Sequence, residues 1–240
     1  DGNDSANANL SISIINVNES NPTFTSSASF TVNENETIIG TVTAVDSIDN
    51  ETLSYAISHW NGSINTGAGI KINQNTGELS FQTSNYWIET YRVNDYETNT
   101  SHTITVTAQD SFVTSTQNIT INLVNINDNS PLFTSGGAWN CLTADENQTT
   151  VFNCATGDGS IEATDADGNP IVFSLVSDNL TISSNGVLSF SSPPDHEAPS
   201  GTSGIVSVTD GVNTTSANIN INLKNLNDNA PTFSTETISF

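Results

Sequence analysis

The sequence predicts an all-β chain built of tandem seven-stranded Greek-key β-sandwiches, and three observations predict it. Short runs alternate Val, Ile and Thr with polar residues, Met is absent, and no window repeats apolar residues at helical spacing. Turn residues punctuate these runs at the short, even intervals of a two-sheet sandwich. The third observation is a nine-residue stretch that occurs three times: Asn16-Val-Asn-Glu-Ser-Asn-Pro-Thr-Phe24, Asn125-Ile-Asn-Asp-Asn-Ser-Pro-Leu-Phe133 and Asn225-Leu-Asn-Asp-Asn-Ala-Pro-Thr-Phe233. Its spacing of about 100 residues is the size of a small domain and far exceeds a solenoid period, so each copy reads as a joint between packed domains.

In chain order, residues 1–15 read as the last strand of a preceding repeat, because Asn9-Leu-Ser-Ile-Ser-Ile-Ile alternates straight into the first joint. The segments beginning at Asn118 and Asn218 do the same before the second and third joints, with Ile119, Ile121, Leu123 and Ile219, Ile221, Leu223 facing inward. Residues 16–24 form a linker, 22–129 a first repeat, 130–229 a second, and 230–240 the first strand of a following repeat. In the first repeat, strands are expected after Phe30, over 38–45 and 53–57, on both sides of a turn at Gly77, and over 103–108. In the second they are expected at Ala144, up to Asp165, over 171–175, 186–190 and 204–208, and over 217–223. An isolated terminal strand exposes unpaired backbone groups. The reading is therefore that the polypeptide continues at both ends or pairs its ends with other subunits.

The chain carries 26 acidic residues against three basic ones, for a formal net charge of −23. Nucleic acid and anionic membrane surfaces, which need Lys and Arg, are disfavoured as partners. Such a surface suits either heavy hydration or the capture of cations. Cys141 and Cys154, the only cysteines, are expected to form a disulfide. With the Asn-x-Ser/Thr sites at Asn35, Asn50, Asn61, Asn99, Asn118, Asn147, Asn179 and Asn213, this suggests an extracellular, cell-surface glycoprotein. No segment of the sequence reads as a membrane insertion. No nucleophile and base stand in a catalytic pattern, so no catalytic residue is expected, and His59, His102 and His196 are expected at the surface.

Oxygen ligands gather around the central joint. The first repeat supplies Glu34, Asp95 and Glu97; the joint supplies Asn125, Asn127, Asp128 and Asn129; the second repeat supplies Asp165, Asp167 and Asp210. Calcium takes six to eight oxygens, which carboxylates from two domains and a linker's amides provide, whereas magnesium resists dehydration. Asp and Asn also populate loops as ordinary turn residues.

The motifs resemble those of the cadherin repeat, whose joints read Asp-x-Asn-Asp-Asn-x-Pro and whose domains carry an early Glu-Asn, an Asp-x-Asp, an Asp-Arg-Glu and a late Ala-x-Asp-Gly. The resemblance spans nearly the whole chain. It implies cadherin or immunoglobulin-like sandwiches joined by calcium-binding linkers, with up to three ions per joint. Glu34, Asp95, Glu97, Asn127, Asp128, Asn129, Asp165, Asp167 and Asp210 would ligate them at the central joint. The same positions elsewhere are Asn16, Asn18, Glu19, Asp46, Asp49 and Asp110 near the first joint, and Glu146, Asp195, Glu197, Asn225, Asn227, Asp228 and Asn229 at the third. Asn16, Asn125 and Asn225 stand where the family has its first Asp, which removes a negative ligand. Glu19 and Ser20 replace Asp and Asn, Asp46-Ser-Ile-Asp49 is one residue longer than Asp-x-Asp, and Tyr96 or His196 replaces Arg.

The function implied is a calcium-rigidified segment of a larger repetitive surface protein, acting in adhesion or in a fibre or layer, with adjacent repeats or neighbouring subunits as partners. Two other classes are compatible with the sequence: a carbohydrate-binding adhesin using the loop with Tyr86, Trp87 and Tyr91, and a spacer of a secreted enzyme.

Overall fold

The computed structural model describes residues 2, 5–14, 20–47, 51–60, 69–82, 94–134, 141–154 and 156–232. The chain divides into two compact units, Asp1–Ile126 and Asn127–Phe240.

The first unit holds β1 (Thr23–Phe24), β2 (Ser29–Asn33), β3 (Ile38–Thr41), β4 (Ala44–Val45), β5 (Ser54–Trp60), β6 (Ile70–Ile72), β7 (Glu78–Phe81), β8 (Ser101–Gln109) and β9 (Thr114–Val124). One sheet runs β2-β9-β8-β5 and the facing one β3-β7-β6, while β1 pairs with β4. β2 lies parallel to β9, and the β9-β8-β5 ladders are antiparallel. Alternation sends Ile104, Val106, Ile119, Ile121 and Leu123 inward against Val42, Leu79 and Phe81, and burial of this apolar surface holds the sheets together. Taking the closely spaced β1/β2 and β3/β4 as two interrupted strands gives the seven of the expected sandwich.

The second unit repeats the plan with β10 (Leu132–Phe133), β11 (Leu142–Asp145), β12 (Phe152–Asn153), β13 (Ala163–Thr164), β14 (Val172–Val176), β15 (Leu180–Ile182), β16 (Leu188–Phe190), β17 (Ser203–Thr209), β18 (Thr214–Asn220) and β19 (Asn222–Lys224). β11 lies parallel to β19 as β2 does to β9, and β14-β17-β18 form antiparallel ladders. Leu142, Val151, Ile161, Leu188, Phe190, Val206, Ile219 and Ile221 form the core. The two units also share a tight turn. Gly77 (φ 73°) and Gly186 (φ 81°) precede β7 and β16, and a Cβ there would stand 2.1 Å from the Val42 carbonyl oxygen or 2.2 Å from that of Ile161. Only glycine fits.

The Cys141–Cys154 disulfide is present, with Cα atoms 5.7 Å apart, and closes the β11–β12 connection. One expectation is corrected, and two segments stand apart from it. Among the described residues, 9–14 pair with no strand, and Leu10, Ile12 and Ile14 are exposed. His102 is not a surface residue: it points inward from β8, 5% exposed, with its ring edge-on to Phe81. β15, which the sequence pattern did not indicate, pairs with β16.

Candidate metal centre

At the C-terminal end of the first unit, the turn after β2 places a carboxylate inside. Glu34 is 2% exposed. Its N–H donates to the Val124 carbonyl at 3.1 Å, its Oε1 accepts the Ile126 N–H at 2.9 Å, and its Oε2 accepts the Tyr96 N–H at 2.7 Å. Asn35 follows in the left-handed region (φ 63°), which Asn tolerates, and its N–H donates to the Asn94 carbonyl. Asp95 Oδ1 accepts the Thr98 N–H at 3.3 Å, and Glu97 is exposed.

The second unit rebuilds this arrangement at its own C-terminal end. Glu146, 1% exposed, donates its N–H to the Lys224 carbonyl, while its carboxylate accepts from the N–H groups of Leu226 and His196. Asn147 is again left-handed (φ 61°), its N–H donating to the Pro194 carbonyl. Carboxylate oxygens of Glu146, Asp195 and Glu197 lie within 4.8 Å of one another. Asn225 Nδ2 donates to Glu197 Oε1 at 2.6 Å, and Asn147 Nδ2 donates to Asp228 Oδ2 at 2.5 Å. Asn229 Nδ2 reaches Asp228 Oδ1 at 3.2 Å. Three carboxylates so close repel one another unless a cation sits among them. The donors are all oxygen, which selects a hard divalent ion. Asn227, exposed beside them, supplies another amide oxygen on the same segment.

The N-terminal end of the second unit gathers a different set. Asp167 Oδ2 accepts the N–H groups of Asp128 and Asn129 at 3.1 and 2.9 Å, and its Oδ1 accepts Asn129 Nδ2 at 2.7 Å. Asp210 Oδ1 accepts the N–H groups of Val212 and Asn213, and Asn127 Nδ2 reaches the Asp210 carbonyl. Burial pushes the Asp210 carboxyl up, but these N–H groups and the amides of Asn213 and Asn127 outweigh it and hold the group below its usual range. Two oxygens here, Asn127 Oδ1 and Asp165 Oδ2, are buried without a hydrogen-bond partner. A buried acceptor left so costs about 1–3 kcal/mol, and coordination to a cation relieves that cost. The donor set fits calcium.

Near the start of the first unit, Asp46 and Asp110 are buried; Asp46 Oδ1 accepts the Ser20 hydroxyl, and Asp110 Oδ1 accepts the N–H groups of Phe112 and Val113. Asn125 is half-buried at the end of the first unit. Asn16, Asn18, Glu19 and Asp49 lie outside the described residues, as do Asn50, Asn61 and the loop holding Tyr86, Trp87 and Tyr91. Among the sequons, Asn35, Asn99, Asn118 and Asn147 are exposed, whereas the side-chain amides of Asn179 and Asn213 donate to the Ser192 and Asn129 carbonyls. No sequence signal marks Asn213 as part of the Asp210 cluster; its place follows only from the turn that Asp210 caps.

No family model matches the chain. Among curated proteins it is 29% identical over 242 residues to the Cadherin EGF LAG seven-pass G-type receptor fmi-1 of Caenorhabditis elegans, a match covering 94% of this chain and 9% of that protein. Among solved structures, human protocadherin-24 EC1-2 matches with a TM-score of 0.65 and 16% identity, covering 85% of this chain and 98% of that one. The protocadherin gammaB4 extracellular domain matches with a TM-score of 0.66 and 19% identity, covering 92% and 35%. Drosophila N-cadherin EC1-4 gives 0.61 and 16%, covering 86% and 50%.

Proposed function

We propose that this chain, whose two units have the cadherin-repeat fold, is a calcium-stiffened segment of a longer extracellular adhesion protein. The observation that carries this reading is the Glu146, Asp195 and Glu197 trio in its repeated backbone frame. Bound calcium would supply the positive charge that offsets the repulsion among such carboxylates. The chain's own residues do the rest. Glu34 and Glu146 tie the strand ends to the segment leading into each joint, so that Asn125 and Asn225 leave their sandwiches on a fixed course. The carboxylates of Glu34, Asp95 and Glu97 on one side, and of Asp128, Asp165, Asp167 and Asp210 on the other, are proposed to share up to three ions at the central joint. Without metal their like charges repel and the joint becomes a hinge; with metal it locks. The disulfide supports an oxidising compartment outside the cell. Adjacent repeats of a longer chain or neighbouring subunits are the expected partners, in adhesion or in a surface fibre or layer.

Small-angle scattering with calcium and then with chelator tests the reading. The maximum dimension should shorten and the profile broaden on chelation, and Asp128→Ala should do the same in calcium while both sandwiches stay folded. A profile indifferent to chelation sinks the proposal. Calorimetric titration with calcium gives a second readout, in which Glu197→Gln should weaken binding at the second unit's own trio.

A further inference from the structure

The second unit has an uncharged, open sheet edge in a chain that is otherwise strongly acidic. β14 is the terminal strand of the β14-β17-β18 sheet and, among the described residues, pairs only with β17. Its five residues, Val172-Phe-Ser-Leu-Val176, include no charge and no proline, and its ladder with β17 runs without a register shift. β17 and β18 are also uncharged throughout. Exposed edges are ordinarily guarded by charges, prolines or bulges. The counterpart in the first unit, β5, has such a guard, a register shift between Ile57 and His59. On β14, Phe173 and Leu175 face the core, while Val172, Ser174 and Val176 face solvent, the two valines 60% and 75% exposed. Across the ladder, Val176 stands opposite Ile205, itself 46% exposed, which extends the apolar strip over the sheet.

We propose that β14 is a self-association site at which a second copy of this chain adds its own β14 antiparallel, continuing the sheet across a two-fold axis at Ser174. The sequence of the strand argues for this occupant. Read from either end it is Val, a large apolar residue, Ser, a large apolar residue, Val. Antiparallel pairing about Ser174 therefore sets Val172 of one copy against Val176 of the other on the outer face and Phe173 against Leu175 on the inner face. An isologous contact demands that self-complementarity. Charge argues the same way. Two copies each carrying a formal −23 repel over most of their surfaces, and an uncharged edge lets backbone hydrogen bonds form without bringing carboxylates together. A basic partner would be drawn to the acidic surfaces instead. The ladder is short, well under the roughly 1,200 Å² of a stable interface, so the association is weak and concentration-dependent.

The test uses the whole chain. Sedimentation velocity at rising concentration should show monomer passing to dimer. Ser174→Cys should form an intermolecular disulfide under mild oxidation, since opposed residues in an antiparallel pair have Cα atoms about 4.5–5.5 Å apart, within disulfide reach; Ser207→Cys, one strand inside the edge, should not. Val172→Lys with Val176→Lys opposes like charges twice per dimer and should leave monomer at every concentration. Val172→Lys with Val176→Glu opposes Lys to Glu and should restore the dimer. All four positions are on the outer face, so circular dichroism should report an unchanged fold. Monomer alone at the highest concentration, cross-linking of Ser207→Cys as fast as Ser174→Cys, or a dimer that survives the double lysine variant would each overturn the proposal.

Discussion

Glu34 and Glu146 are held by the same set of backbone groups, yet the loops around them have little in common. In the first unit β2 reaches β3 across 34–37; in the second, β11 leads into a disulfide-closed excursion, while β16 reaches β17 across 191–202. In each case the carboxylate accepts N–H groups from the Asp-x-Glu turn and from the segment leaving the last strand. The site is thus a property of strand ends, which core packing places, and the loops are free to vary beside it. A second contrast is chemical. Tyr96 packs its ring on the first core, whereas His196 stays exposed with Nδ1 3.0 Å from Asn225 Nδ2, so an aromatic anchor and a polar one serve the same backbone position.

The glycine turns should break both units equally. Gly77→Ala and Gly186→Ala each add a left-handed strain of about 1–2 kcal/mol to the cost of forcing a Cβ against a carbonyl. A loss of about 4 kcal/mol is expected in the unit concerned. Hydrogen exchange read separately in β8/β9 and β17/β18 checks it, and a difference above about 1 kcal/mol between the two would refute the equivalence.

The disulfide should break only one. Cys141→Ser with Cys154→Ser opens a loop for which chain entropy gives about 3 kcal/mol. The second unit's denaturant midpoint should fall while the first unit's stays.

Glu34→Ala and Glu146→Ala each strand two backbone N–H groups that water partly reaches, at about 1 kcal/mol apiece. Each should cost its own unit about 2 kcal/mol in metal-free buffer, and more in calcium. Equal losses with and without calcium would separate the structural role of these glutamates from any cation.

The smallest effect is expected at Asp158, in the second unit's excursion. The Ser160 hydroxyl and N–H, with the Thr156 hydroxyl, hold its carboxyl below the usual range. A depressed carboxylate stabilises the fold above its unfolded-state pKa, near 3.9, and that contribution is lost as pH falls through the folded value. Asp158→Asn should remove a small part of the second unit's acid sensitivity below pH 4 and leave the first unit's acid limb unaltered, as acid titrations followed by exchange would read.

The sandwich was legible because its signals are local. Ile104, Val106 and Ala108, or Ile219 and Ile221, alternate inward as their spacing demands, and Gly77 marks its turn by composition alone. Where the signal depends on a partner, the sequence misleads. His102 reads as polar and is buried, because its place on β8 is dictated by the alternation of Ile104 and Val106 and its ring finds Phe81.

The residue types at the candidate site were visible too, as repeated acids and amides at repeat-like intervals. Sequence by itself determined the strand faces, the turn glycines and the all-oxygen character of the candidate site, since each follows from side-chain chemistry and short-range spacing. Only the tertiary structure decided that Glu146 is buried with both oxygens bound while Glu197 stands at the surface, that Asn213 joins Asp210, and that β14 is left at an open edge. Those facts depend on which distant strands pair, and pairing is settled by the burial of whole sheet faces, a quantity that no local stretch contains.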